Sequence, residues 1–394
     1  MNEDLGFSAT VYGFGAGVFY FGYALFEVPS NLVLARVGAR VWIARIMITW
    51  GLISVAMMFV RNAPTFYILR FLLGVAEAGF FPGIIYYLTY WYPRAARARA
   101  VAWFMAAIPL SVVFGGVVAG FLLGMDGLLD LAGWQWLFLL EGLPAVILGV
   151  IVLYYLTDRP EQARWLEEHE RAWLSSRISV EHQQAQARHR IDLRRTFRHP
   201  VVWQLTFIMF ACQTGSYGLT FWVPQIVKSV SGLTDLQVGM LTAIPYIAAG
   251  IGMVLVGWNS DRTGERFLHI GIPCVIAALG FVSSVYLTSP VPAMIALTLA
   301  AVGDFSSRAP FWALPGRFLT GSASAAGIAM INSIASLGGF VGPYAVGLAK
   351  DATGQFSAGL VLLAPLLLAG AVVAWRLRRS PAFDLDAAPA NAGQ

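Results

Sequence analysis

Apolar runs of about twenty residues, each closed by charged residues, glycine or proline, follow one another along almost the whole chain, and a run of that length crosses a roughly 30 Å hydrocarbon core as a helix. Backbone amides and carbonyls in hydrocarbon have no water to bond. A chain of this kind is therefore restricted to helices, which satisfy their own backbone, or to closed barrels, and runs this continuously apolar suit helices. Only 12% of the 394 residues are charged, against roughly 25% in a soluble domain, so no large aqueous domain fits between the runs.

Setting apolar runs against breakers predicts an all-α polytopic membrane protein. Eleven spans are expected, near 10–34, 42–60, 65–90, 98–123 and 135–156, then 201–228, 236–257, 268–287, 292–319, 322–348 and 356–377. The predicted organisation is a five-span bundle over 1–156, a charged linker over 157–200, a six-span bundle over 201–377 and a tail over 378–394.

The net charge of +5 is carried by short loops rather than by one basic surface, which excludes a nucleic-acid partner. Arg36 and Arg40, then Arg94, Arg97 and Arg99, then the linker, then Arg262 and Arg266, then Arg376, Arg378 and Arg379 fall in alternate loops. Positive charge marks the cytoplasmic side, so these loops and the C-terminus are expected inside and Met1 outside. The first residues, MNEDLGFSAT, lack the basic start of a signal peptide. Cys212 and Cys274 lie within apolar spans, and His169, His182, His189, His199 and His269 lie in or beside cytoplasmic loops, so no disulfide framework, metal or cofactor is expected. There is no nucleophile elbow, phosphate-binding glycine loop or HExxH pair, and the chain does not read as an enzyme.

An internal repeat orders the spans. Arg36, Gly38 and Arg40 recur at constant offset as Arg262, Gly264 and Arg266, an x-Arg-x-Gly-x-Arg loop preceded in the second copy by Asp261. Both copies are candidate gating loops. The second follows the second span of its bundle and the first follows the first, so the N-terminal bundle is expected to lack one helix at its start. Two repeat-related halves joined by a long cytoplasmic linker is the plan of a major facilitator carrier.

Charged residues inside spans are few: Glu27, Arg70, Glu77, Asp304, Arg308 and, nearer an end, Glu141. Each costs on the order of 2.5–3.5 kcal/mol at a helix centre and needs a partner or a wet cavity. Arg70 and Glu77 are seven residues apart, which places them on one helix face at roughly 10 Å along the axis, too far for a direct bond. Arg70 either reaches the outer interface or binds an anionic substrate through its flat guanidinium fork. Glu77 either pairs with another helix or takes up and releases a coupling proton, a task that arginine does not perform at physiological pH. Gly74, Gly79 and Gly83 form a small-residue stripe read as helix packing. Glu27, just before Pro29, either lines the path or caps a kink. Asp304 and Arg308, four apart, suit a structural ion pair within one helix. Gln213, Tyr217, Phe221 and Trp222 recur at helical spacing as a candidate polar and aromatic lining, and Asn332 with Ser333 supplies hydrogen-bonding groups within a small-residue span.

The segments FEVPSNLVLARVGAR, RFLLGVAEAGFFPGIIYYLTYWYP, GWQWLFLLEGLPA, GLTFWVPQIV and PFWALPGRFLTGSASAAGIAMINS carry a resemblance over nearly the whole chain. It resembles the anion:cation symporter family of the major facilitator superfamily, which includes bacterial tartrate, phthalate and hydroxyphenylacetate permeases and animal vesicular glutamate and sialic acid carriers. The resemblance implies that Arg70 and Glu77 serve anion binding and proton coupling, that Tyr23 faces the cavity, and that Asn332 contacts substrate. It also implies a first helix with an Asp-Arg pair, which this chain is expected to lack, and Ser336 stands where relatives often carry asparagine.

The expected function is proton-coupled import of a small organic anion, such as tartrate or an aromatic acid, by alternating access. The expected setting is a bacterial cytoplasmic membrane, with the chain a monomer whose partners are substrate, protons and lipid. Two alternatives are export of another small molecule, for which Glu27, Glu77 and Asp304 are available although Arg70 repels cations, and a truncated membrane protein that does not transport.

Overall fold

The computed structural model describes residues 1–187, 198–283, 289–315 and 321–380. The basic end of the predicted linker from 188 to 197, the last residues of the spans predicted at 268–287 and 292–319, and the predicted tail beyond 380 lie outside the described residues. The described residues are helical, with no strand among them. Helices are Ala9–Val37 (α1), Ala39–Ala56 (α2), Ala63–Glu77 (α3), Phe80–Trp91 (α4), Arg94–Leu123 (α5), Gly133–Tyr155 (α6) and Glu168–Ala187 (α7). They continue as Pro200–Ser231 (α8), Asp235–Thr263 (α9), Leu268–Ser283 (α10), Pro290–Ser306 (α11), Arg308–Trp312 (α12), Gly321–Ser336 (α13), Gly338–Thr353 (α14) and Phe356–Leu377 (α15). Three predicted spans are thus each two helices: 65–90 is broken at Ala78–Gly79, 292–319 at Ser307, and 322–348 at Leu337. Among the described residues, seven helical runs are long and apolar enough to cross a membrane by length and composition.

Local chemistry explains where helices begin. Ser8 accepts from the Val11 amide at the start of α1, and Asn62 accepts from the Thr65 amide at the start of α3. Asp126 accepts from the amide of Gly133, the first residue of α6. The helices turn large apolar side chains outward: Leu25, Val254 and Leu362 are each more than half exposed. In water such a surface would aggregate; in a bilayer it is the lipid contact. This is an integral membrane protein.

The chain packs into two compact units, Met1–His189 with Leu233–Met240, and Arg190–Gly232 with Leu241–Gln394. In the first, α1 packs on α3 and α2 on α6. Both contacts depend on glycine. A Cβ at Gly74 would overlap the Phe19 carbonyl oxygen, one at Gly22 would crowd the Phe71 carbonyl, and one at Gly15 would overlap the Phe66 ring. At the other contact Gly51 and Gly142 face each other, where a Cβ on either would lie 2.8 or 2.9 Å from the opposite carbonyl oxygen. In lipid, apolar side chains gain little by leaving their solvent, so helices associate through such close backbone approach.

In the second unit α8 packs on α14 and α15, and α10 packs on α15 and α11. The helix after each x-Arg-x-Gly-x-Arg loop, α2 or α10, packs on a long apolar helix of its own unit, α6 or α15. Close packing predicts opposite outcomes for one substitution. Gly74→Ala forces α1 and α3 apart and should cost roughly 1–3 kcal/mol. A Cβ at Gly250 meets nothing within 4 Å, so Gly250→Ala should raise stability by about 0.5–1 kcal/mol through backbone entropy. Thermal unfolding of the two variants in detergent, read against the parent, checks both signs.

Candidate functional site

Within the first unit, the α1–α3 contact sets the surroundings of Arg70. With α1 drawn close by the glycines, Arg70 Nε donates to the Gly15 carbonyl at 3.1 Å and Nη2 to the Ala16 carbonyl at 3.0 Å. The guanidinium also stands 5.2 Å from the centre of the Phe19 ring, and Tyr12 and Tyr20, from the same helix, lie within its electrostatic reach. Arg70 therefore stays half-buried and is held by helix carbonyls. No carboxylate forms an ion pair with it among the described residues, and Glu77 is the carboxylate within its electrostatic reach.

Glu77 is the last residue of α3 and half-buried. It senses the charge of Arg70 but forms no ion pair with it, which agrees with the axial separation expected from the sequence. Directly after it the helix breaks at Gly79, whose φ of +87° is open to glycine, and where a Cβ would overlap Ser30 and press on Asn31 of α1. Asn31 donates to the Glu27 carbonyl at 2.8 Å, and the Trp42 indole donates to Ser30 at 3.0 Å, so polar groups beside Pro29 hold the break in place. Glu27 itself is buried on this stretch, and Tyr23 stacks on Phe19 at 6.0 Å. The stripe of Gly74, Gly79 and Gly83 faces α1, as expected for packing. Glu141 is exposed.

The two repeat loops each turn at a glycine of positive φ and differ in partners. Gly38 and Gly264 both have positive φ, +100° and +69°. In the first loop Arg36 is exposed, and the Arg40 amide donates to Asp158 at 2.7 Å, so that Asp158 caps α2 from beyond α6 where Gly38 supplies no side chain. In the second, Arg266 pairs with Asp261 at 2.6 Å and donates to Ser260, Arg262 lies over the Trp258 ring, and Glu265 accepts from the amides of Phe267 and Leu268 while Arg378 approaches it at 3.6 Å.

Elsewhere in the second unit, Gln213 is buried and Tyr217 half-buried on α8. Trp222 is fully enclosed, its indole donating to the Pro343 carbonyl at 3.0 Å and its ring 5.2 Å from that of Phe356, a place between helices. Asn332 is half-buried near the end of α13, where its carbonyl accepts from Ser336. The structure places Arg70, Glu77, Tyr23 and Glu27 together on α1 and α3, and the remaining predicted residues in the other unit or at loops.

Several residues escaped the sequence reading. Asp158 looked like one more charge of the linker, and only folding brings it to α2. Arg45, inside α2, stacks on Trp42 at 3.9 Å; its depth within the span was the signal that could have found it. Cys212 and Cys274 approach to 3.7 Å as free thiols from α8 and α10, a proximity that their separation in sequence hides.

Residues 1–343 match the Major Facilitator Superfamily. A protein of Agrobacterium vitis named "Putative tartrate transporter" is 52% identical over 394 residues, covering 100% of this chain and 89% of that one. A "Quinolone resistance transporter" of Acinetobacter baumannii is 43% identical over 376 residues, covering 95% of this chain and 86% of the other. A solved bacterial homologue of the human lysosomal transporter Spinster, inward-facing and occupied, superposes with a TM-score of 0.77 over 96% of this chain and 90% of that one; at 17% identity the likeness is one of fold.

The capping role of Asp158 can be measured. Asp158→Ala should cost about 1 kcal/mol of stability, and Asp158→Asn, which keeps an acceptor oxygen, less than half of that. Thermal unfolding of the two variants in one detergent reads the difference, and equal losses would show that charge rather than capping matters.

Proposed function

This chain belongs to the Major Facilitator Superfamily, and on that premise we propose that it imports a small organic anion, a carboxylate of the tartrate kind, together with protons, across a bacterial cytoplasmic membrane by alternating access. The observation that carries this reading is that Arg70 forms no ion pair among the described residues. A fixed positive charge inside a span, held by two carbonyls and with Glu77 only within electrostatic reach, is stabilised by an anionic cargo and repels a cationic one. Nη1 is the nitrogen left over from the two helix bonds, and it is the donor assigned to the substrate carboxylate.

Glu77 is assigned the coupling proton. Its carboxylate stands on the same helix, two turns on, and among the described residues forms no ion pair that would lock it in one protonation state. It also stands at a break in that helix, where small changes of backbone alter its surroundings. Tyr23 and Glu27, on the facing helix, complete the proposed site in this unit; Asn332 is a proposed substrate contact on the resemblance alone. The name of the Agrobacterium relative supports the substrate class. Export is the second reading, favoured by the relative named for quinolone resistance.

Transport in liposomes distinguishes them. With purified protein and radiolabelled tartrate, an inward proton gradient should drive accumulation; extrusion against the same gradient would favour the second reading. Arg70→Lys should lower uptake roughly ten- to a hundredfold, because the three donors of an ammonium radiate from one atom and do not reproduce the spread, planar fork that spans two helix carbonyls and an anion at once. Unimpaired uptake would remove Arg70 from the site. Glu77→Gln should abolish gradient-driven accumulation while tartrate exchange across the membrane persists; accumulation that survives would assign the proton elsewhere.

A further inference from the structure

The second unit carries its own buried carboxylate, and it stands where the repeat would place a partner for Glu77. From the N-cap Asn62 to Glu77 is the same number of residues as from the N-cap Ser289 to Asp304. Each carboxylate lies in the last turn before its helix is interrupted, at Gly79 in one unit and Ser307 in the other. The correspondence stops at the cation. Counted the same way, Arg70 falls on Leu297, and the second unit instead supplies Arg308, one turn after its carboxylate.

The surroundings of Asp304 are not those of a settled ion pair. It is fully buried, the Ser216 hydroxyl of α8 stands beside its carboxylate, and no well-formed hydrogen bond reaches its Oδ1 among the described residues. Oδ2 receives a single contact from Arg308 Nη2, long at 3.4 Å, while Arg308 Nε is also buried without a partner and the guanidinium leans over the Phe305 ring at 4.5 Å. A bidentate fork that satisfied both oxygens would look different. The groups that face it from the neighbouring helices are Gly215 and the Ser216 hydroxyl on α8, Tyr246 on α9, Cys274 on α10 and Arg308 on α12. Arg308 is the one cation among these.

We propose that Asp304 is a second proton-binding residue, placed in the C-terminal unit as Glu77 is in the N-terminal one, and that it takes up its proton at Oδ1 in exchange for the ion pair with Arg308. The step balances simply: a carboxylate and a proton give a neutral acid, with no electron transfer. A neutral Asp304 no longer holds Arg308, whose side chain is 24% exposed. The guanidinium is then available to an anion, so uptake of a proton and of an anionic cargo favour each other by reciprocal linkage. The place of this exchange in a transport cycle rests on the import reading given above; the protonation itself does not.

Infrared difference spectroscopy of the full chain in lipid, stepped through pH, reads protonated carboxyl groups directly. The wild type should show bands for both acids, with one lost in Asp304→Asn and the other in Glu77→Gln. In Arg308→Gln the Asp304 band should persist at a pH at which the wild type has already released that proton, because the cation that favours the carboxylate is gone. A spectrum unchanged by Asp304→Asn in a variant that remains monodisperse would overturn the proposal and leave Asp304 as a permanently ionised partner of Arg308. If Asp304→Asn does not fold, the Arg308→Gln shift decides, and its absence overturns the proposal equally. Failure of tartrate uptake would sink the import reading and leave these spectra standing.

Discussion

A charged side chain in hydrocarbon has only the protein to bond with, and in the first unit that demand is met by the approach of two helices. Gly15, Gly22 and Gly74 remove the atoms that would hold α1 and α3 apart. At that distance the carbonyls of Gly15 and Ala16 reach Arg70 and satisfy two of its donors without neutralising it. Carbonyl oxygens offer partial charge and direction, whereas a carboxylate would have cancelled the field. The glycines thus decide more than packing: they allow an arginine to be buried without a carboxylate bonded to it among the described residues.

Interruptions of helices do comparable work. A broken helix in a membrane leaves backbone groups that must find other partners. The break after Glu77 is held by Gly79 in a left-handed conformation and by Ser30, Asn31 and Trp42 around Pro29 of α1. The break after Asp304 is held differently, with Ser307 donating to the Asp304 carbonyl and meeting the Cys212 thiol. The two units keep a carboxylate at matching places and surround it by different means. The repeat loops show the same divergence: a glycine with positive φ in both, an external cap from Asp158 in one, and a network of Asp261, Glu265, Arg266 and Arg378 in the other.

The helices were legible because membrane crossing imposes length and apolarity on each one separately, so that every run can be recognised without knowing its neighbours. The glycine loops were legible because a φ near +100° or +69° selects a residue type. Arg70 and Glu77 were legible as a pair on one face, since helical period alone places them there. What Arg70 bonds was not legible, because backbone carbonyls are present at every position and leave no mark in a sequence. Asp158 was hidden for a related reason: a charge in a charged linker does not announce which helix it will cap. Trp222 belonged to a helical stripe read as a lining, and the indole is enclosed between helices, an outcome that spacing along one helix does not determine.

The amino-acid sequence by itself therefore determined that this chain is a bundle of membrane helices in two related halves, with a few charges buried along the way. It could do so because a bilayer constrains each span locally. The tertiary structure decided which of those charges are compensated. Arg70 is buried as an ion because two helices meet closely enough to lend it carbonyls, and Asp304 is held on one side only by Arg308, through a single long contact to Oδ2. Both outcomes depend on interatomic distances, across helices distant in sequence for Arg70 and across a helix break for Asp304, and pairwise distance is the quantity that a linear pattern does not contain.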